Sequence, residues 1–317
     1  MNRIERIRNV ERDELATQHF HAVFASVGFE QRARHVADVI RPNADRFFAC
    51  GFLDRQVLAY AENRRCFEAN GYSIAEVRET AFSKWCRDSL LQLPVNSEKR
   101  LNLCVDISSM SRYRIASVLA AIGDLNAWET VNVSFLYANA GYSPPTRELG
   151  QVENAGPVLR RFAGWSNEPD RPITAIFGLG YEYDKAIGAL DYIEPAEVWA
   201  FQLKSTDPRY DDETEKANRF LWPVLPEERR ITYRIERPLD CLTDLESLTS
   251  GLLRATRPVL VPFGPKIFTL HCLLVACIHF PRVAVWRVTT GVNAPPADRV
   301  PDGLVTGIEV QFRVTEG

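Results

Sequence analysis

The chain has 317 residues, a net charge of −3, 46% hydrophobic and 25% charged content. That length supports two domains with separate cores, and the composition is that of an ordinary globular protein. The slightly acidic balance excludes the basic excess that a long nucleic-acid track requires, while a small anionic ligand in a local basic pocket stays open.

Apolar runs of strand length alternate with longer stretches of helical period, the pattern of βα units around a mostly parallel sheet. In the first half, strands are expected near 21–27, 46–51, 72–78, 101–106 and 131–137, with helices near 30–40, 54–70, 82–92 and 111–122. A final strand returning antiparallel fits 151–162, and residues 164–172 (GWSNEPDRP) read as the linker. In the second half, strands are expected near 173–178, 197–203, 231–236, 258–262, 283–288 and 305–314. Helices fall near 183–193, 211–221, 241–254 and 266–279, and Asp54 and Asp240 are candidate N-caps.

The two halves echo each other. Residues 21–30 (HAVFASVGFE) and 174–182 (TAIFGLGYE) each run an apolar strand into Gly-aromatic-Glu. Residues 102–109 (NLCVDISS) answer 258–265 (PVLVPFGP), and the double prolines Pro144-Pro145 and Pro295-Pro296 are followed by Arg147 and Arg299. A period of about 150 residues is that of a domain, so an internal duplication is expected. The expected fold is α/β: two tandem Rossmann-like domains, 1–163 and 173–317, with mostly parallel sheets flanked by helices. Two like domains can turn equivalent loops toward one cleft.

Seven cysteines (Cys50, Cys66, Cys86, Cys104, Cys241, Cys272 and Cys277) include no CxxC pair, so buried free thiols are expected. The five histidines are scattered and suggest no zinc site, and no cofactor is implied. The charged N-terminus lacks an apolar h-region, and the longest apolar run, 267–280, is too short to span a bilayer. A soluble, cytoplasmic protein with no membrane partner is expected.

Ligands of open parallel sheets bind beyond the carboxyl ends of the strands, which selects the loops 28–32, 106–112, 178–184 and 263–266. The sharpest signal is Val105-Asp106-Ile107-Ser108-Ser109-Met110-Ser111-Arg112, a buried strand running through serines into a helix start. Helix N-termini attract phosphate; Ser108, Ser109 and Arg112 suit a phosphate, with Asp106 orienting the loop. Equally, Ser108 or Ser109 can simply cap the helix while Asp106 ties down the loop. In the second half, Gly264 permits close backbone approach and Lys266 supplies charge. Gly28 and Gly180 supply turns, Arg32 adds a cation, Phe29 and Tyr181 can stack a base, and Glu30 and Glu182 can read base edges. The same glutamates can serve the helix dipole instead, with the rings stapling helix to sheet. Gly178-x-Gly180 lacks the third glycine of a dinucleotide fingerprint. Asp191 with Gln202 and Lys204 loosely matches a metal-dependent nuclease core, yet the repeat explains these residues as an ordinary second strand.

The strand-Gly opening of each half, and Asp106, Ile107, Ser108, Ser109, Ser111 and Arg112 in the fourth-strand loop, resemble the CRISPR-associated Rossmann fold (CARF) domain. Met110 stands where that pattern has a glycine, and the second half replaces it with Pro262-Phe263-Gly264-Pro265-Lys266. A tandem of two such domains is similar to the SAVED domain of antiphage signalling systems. The resemblance implies a cyclic oligonucleotide second messenger held between the halves, a role as sensor in prokaryotic antiviral defence, and a separate effector protein as partner. Two alternatives stand beside it: a metal-independent phosphodiesterase or ring nuclease using the same cleft, and a non-catalytic scaffold subunit whose duplicated fold has lost its ligand.

Overall fold

The computed structural model describes residues 2–145, 152–165, 168–290 and 296–315. These fall into two compact units: Met1–Gly141 with Pro296–Gly317, and Tyr142–Pro295. In chain order the first unit holds β1 (Arg3–Asn9), α1 (Arg12–Thr17), β2 (His19–Phe20), β3 (Ala22–Ser26), β4 (Asn43–Ala44), β5 (Phe47–Phe52), α2 (Tyr60–Ala69), β6 (Ser73–Val77), α3 (Phe82–Leu91), β7 (Arg100–Asp106), α4 (Arg112–Gly123) and β8 (Thr130–Ala140). The second holds β9 (Val152–Pro157), β10 (Ile173–Leu179), α5 (Lys185–Ile193), β11 (Glu197–Leu203), α6 (Pro208–Ala217), β12 (Arg230–Tyr233), α7 (Pro238–Leu252), β13 (Arg257–Pro262), α8 (Lys266–Ile278) and β14 (Ala284–Thr290). The last strand, β15 (Pro301–Arg313), returns to the first unit.

The first sheet runs β1-β15-β8-β7-β3-β5-β6, with β8, β7, β3, β5 and β6 parallel and β15 antiparallel to both of its neighbours. The second runs β12-β11-β10-β13-β14-β9, parallel except for β9 on β14. Central strands covered on both faces read as unbroken apolar runs. All five residues of β3 are buried, as are the last six of β10. The longest apolar run in the sequence is α8, whose residues from Ile267 to Cys277 are all buried.

Three expectations are corrected. The boundary does not lie at 164–172: Gly164 adopts φ 73 where a β-carbon would lie 2.7 Å from Ala284 Cβ, the Trp165 N–H donates to the Pro281 carbonyl, and the Arg257 Nε donates to the Arg171 carbonyl. That stretch is part of the second unit, so the units differ from the expected 1–163 and 173–317. The expected antiparallel strand within 151–162 belongs to the second sheet, where β9 covers the edge of β14. The strand expected at 305–314 belongs to the first sheet. There its Ile308, Val310 and Phe312 are buried and its backbone pairs along the whole of β8. Covering an eleven-residue edge removes a template for unwanted pairing. The N-terminal strand β1, hidden by its charges, adds the outer edge. Of the echoed positions, Arg147 and Pro295 lie outside the described residues.

Candidate functional site

In the first unit β3 and β7 are parallel neighbours, so their carboxyl ends bring the loops 28–32 and 106–112 together. The contact is tight at Gly28, where a β-carbon would lie 2.6 Å from Ser109 Oγ. Asn63, fully buried on α2, donates from Nδ2 to the Gly28 and Glu30 carbonyls at 2.8 Å each, and the Ala59 N–H donates to the Phe29 carbonyl. All three loop carbonyls are thus turned toward α2.

The side chains of this loop are largely spent on the protein itself. Phe29 is half-buried and packs on the core. Arg32 is buried, pairs with Glu30, and donates to Tyr137 Oη at 2.9 Å and to the Ala138 carbonyl at 3.3 Å. Burial disfavours its charge, but Tyr137 and Glu30 outweigh that and hold its pKa above the ordinary value. Glu30 also faces Arg299 at 3.7 Å.

On the fourth-strand loop, Asp106 accepts both the Ser108 N–H, at 2.9 Å, and the Ser108 hydroxyl, while Ser108 Oγ accepts the Ala138 N–H at 2.8 Å. Asp106 and Ser108 therefore fix the loop, the role that Asx-type geometry gives these residues. The cap of α4 is Ser111, which accepts the Arg114 N–H at 3.1 Å and donates to Glu79. The Ser109 hydroxyl is buried against Gly28 and has no hydrogen-bond partner among the described residues. Arg112 opens α4 and is half-buried. Neither proposed aspartate cap is one: Asp54 precedes α2 by several residues, and Asp240 lies in the first turn of α7, where a carboxylate suits the dipole.

The second unit repeats the arrangement with other chemistry. A β-carbon on Gly180 would lie 2.5 Å from Gly264 Cα, and Gly264 takes φ 67, a left-handed conformation that glycine adopts without strain. Both Glu182 oxygens accept the Gly264 N–H at 3.2 Å, so this carboxylate joins the two loops. Asn218, buried at the end of α6, donates to the Gly180 carbonyl at 2.8 Å, as Asn63 does to Gly28. The Tyr181 ring is half-buried and meets Tyr210 edge-on at 4.8 Å. Lys266, half-buried, opens α8. Lys204 pairs with Asp211 at 2.7 Å, and among the described residues no cluster of His, Cys, Asp or Glu could hold a metal ion. All seven cysteines are free. No helix among the described residues is long and apolar enough to cross a membrane.

The two asparagines are the main residues that motif reading misses. They follow their glycines by 35 and 38 residues, so extending the repeat comparison into the second helix of each half would have found them. Asn63→Ala takes the side-chain donor from the Gly28 carbonyl and one of two donors from the Glu30 carbonyl, which keeps the Ala33 N–H, a loss of about 1–3 kcal/mol. The expected result is a lower midpoint in chemical denaturation and faster amide exchange at Gln31 and Arg32. An unchanged midpoint would show the loop to be held by other means.

No protein-family model matches the chain, and no curated protein matches it in sequence.

Proposed function

We propose that the chain binds a nucleotide at the strand-end loops of its two units, the ligand being a cyclic oligonucleotide second messenger and the chain its sensor in prokaryotic antiviral defence. The observation that carries this reading is the glycine-tight junction of first- and fourth-strand loops in each unit, Gly28 on Ser109 and Gly180 on Gly264. In both sheets that junction lies between the first and fourth parallel strands, where the strand order reverses and α/β ligands bind. The shared order of the parallel strands and the matched asparagines support an internal duplication.

In this reading phosphate is held by the Ser109 hydroxyl, the first-turn N–H groups of α4 and the Arg112 guanidinium, with Lys266 serving the second unit. Tyr181 supplies the stacking face. Glu30, Arg32, Asp106, Ser108 and Glu182 shape the loops, since their hydrogen bonds already hold them. The first test is mass spectrometry of nucleotides released from the purified protein, beside a thermal-shift screen of cyclic and linear oligonucleotides. Arg112→Ala and Lys266→Ala should each weaken a hit by about 1.5–3 kcal/mol, roughly 10- to 150-fold. A shortened product recovered in EDTA would make the chain a phosphodiesterase instead, and unchanged affinity in both variants would remove the phosphate assignment.

A further inference from the structure

At the junction of the first unit, one polar group is left over for a ligand. The Ser109 hydroxyl is nine-tenths buried beside Gly28, without a hydrogen-bond partner among the described residues, two positions before the cap of the twelve-residue α4. No ring is left over with it, because Phe29 packs on the core. A nucleotide held there needs an apolar surface from elsewhere in the unit.

The loop that follows β5 supplies one, and both of its ends are fastened to the junction. Phe52, the last residue of β5, carries the Arg114 guanidinium from the first turn of α4 at 3.4 Å over its ring. At the other end the Ala59 N–H donates to the Phe29 carbonyl at 3.1 Å. Between these anchors Leu53, Val57 and Leu58 are 51%, 44% and 55% exposed, the densest group of exposed large apolar side chains among the described residues. Leu58 takes φ 54 in a turn closed by the Tyr60 N–H on the Val57 carbonyl, a place that glycine fills without strain. A branched side chain held at positive φ is a strained choice, and strain of this kind gathers at ligand clamps. The fold itself does not ask for it. In the second unit the loop after β11 has no exposed large apolar side chain, and Asp211 holds it through Lys204 at 2.7 Å and the Ser205 N–H at 2.9 Å.

We infer that Leu53, Val57 and Leu58 form the apolar wall of the first unit's site, against which the flat face of a nucleobase packs while its phosphate reaches Ser109 and the start of α4. This rests on the nucleotide reading of the junction, and it adds the residues that hold the base. Aliphatic side chains grip a base through contact area, so the wall strengthens binding without reading the base's hydrogen-bonding edge.

Calorimetry on the full chain tests it, with cyclic di-adenylate and cyclic tetra-adenylate as probes. Leu58→Gly and the double variant Leu53→Ser with Val57→Ser should each bind a probe about five- to tenfold more weakly than wild type. Leu58→Met, which keeps an apolar side chain on the same turn, should bind as wild type does. Denaturation midpoints at or above the wild-type value are expected for Leu58→Gly, since glycine relieves the turn. A probe that binds wild type and both loop variants equally overturns the wall and leaves the nucleotide reading standing. Equal weakening in Leu58→Met and Leu58→Gly also overturns it, because the turn's shape rather than its apolar surface would then matter. Failure of both probes to bind wild type overturns the wall together with the nucleotide reading.

Discussion

Arg114→Ala is expected to lower the stability of the first unit by about 3–5 kcal/mol, the cost of breaking a buried ion pair from one side. Arg114 lies on α4 with its side chain fully buried, and every edge of its guanidinium is used. Nε reaches Glu79 at 3.1 Å, Nη1 reaches Ser26 Oγ at 3.1 Å and the Cys50 carbonyl at 2.8 Å, and Nη2 reaches the Gly51 carbonyl at 2.9 Å. The planar group lies 3.4 Å over the Phe52 ring and 4.8 Å from the Phe82 ring, adding cation–π contact. Burial lowers its pKa, so Glu79, the carbonyls and the rings together must hold the charge in place. Alanine removes the Arg114 donors from the Cys50 and Gly51 carbonyls and from the Glu79 carboxylate, leaving Cys50 with the Val27 N–H and Glu79 with Ser111, and opens a cavity between two aromatic rings. Lysine should recover little, because one ammonium cannot meet partners spread around a planar fork. Urea denaturation followed by circular dichroism would show a midpoint shift near that of a core truncation for both variants. A lysine variant as stable as wild type would mean that charge alone, without the fork, is what the site needs.

The position of Arg114 explains why part of the site was hidden in the sequence. Its spacing from Asp106 and its place in the first turn of a helix make it look like a ligand cation, equal to Arg112. Only the packing separates them, turning one inward onto the ends of β3 and β5 and leaving the other half-buried. Element identity was legible because it depends on local pattern: β11 spans the expected 197–203, and α3, α4 and α8 agree within a residue or two. Partnership of strands was not legible. β15 carries an ordinary apolar alternation that fits either sheet, and its choice of β8 is settled by a long uncovered edge rather than by its own residues. Glu30, Asp106 and Glu182 have the chemistry of ligand contacts, and each also finds a partner within its own unit, which the sequence alone does not show.

The pH dependence of stability should be set between neutral and about pH 4.5 by one histidine. His271 sits in the middle of α8, fully buried, with the Phe268 ring edge-on at 6.4 Å and neither ring nitrogen hydrogen-bonded among the described residues. Burial alone pushes its pKa from 6.5 down to about 3. The folded chain therefore keeps it neutral while the unfolded chain protonates it below pH 6.5. Between those values the unfolded state binds more protons, so stability falls as pH falls, at about 1.4 kcal/mol per pH unit. The penalty is absent above pH 6.5 and complete only below about 3, but carboxylate titration intrudes under about pH 4.5. Some 2–3 kcal/mol of loss should therefore be assignable to His271 by denaturation at pH 7 and pH 4.5. His271→Leu removes both the titration and two unsatisfied nitrogens, so it should flatten the slope and stabilise the protein at pH 7 by about 1–2 kcal/mol. His271→Gln, which cannot titrate yet keeps the polar burden, separates the effects: it should flatten the slope without the gain. An undiminished slope in both variants would place the acid sensitivity in other groups. A flat slope in both, with a gain only for leucine, would make α8 a core helix that carries an imidazole at a cost its packing does not repay.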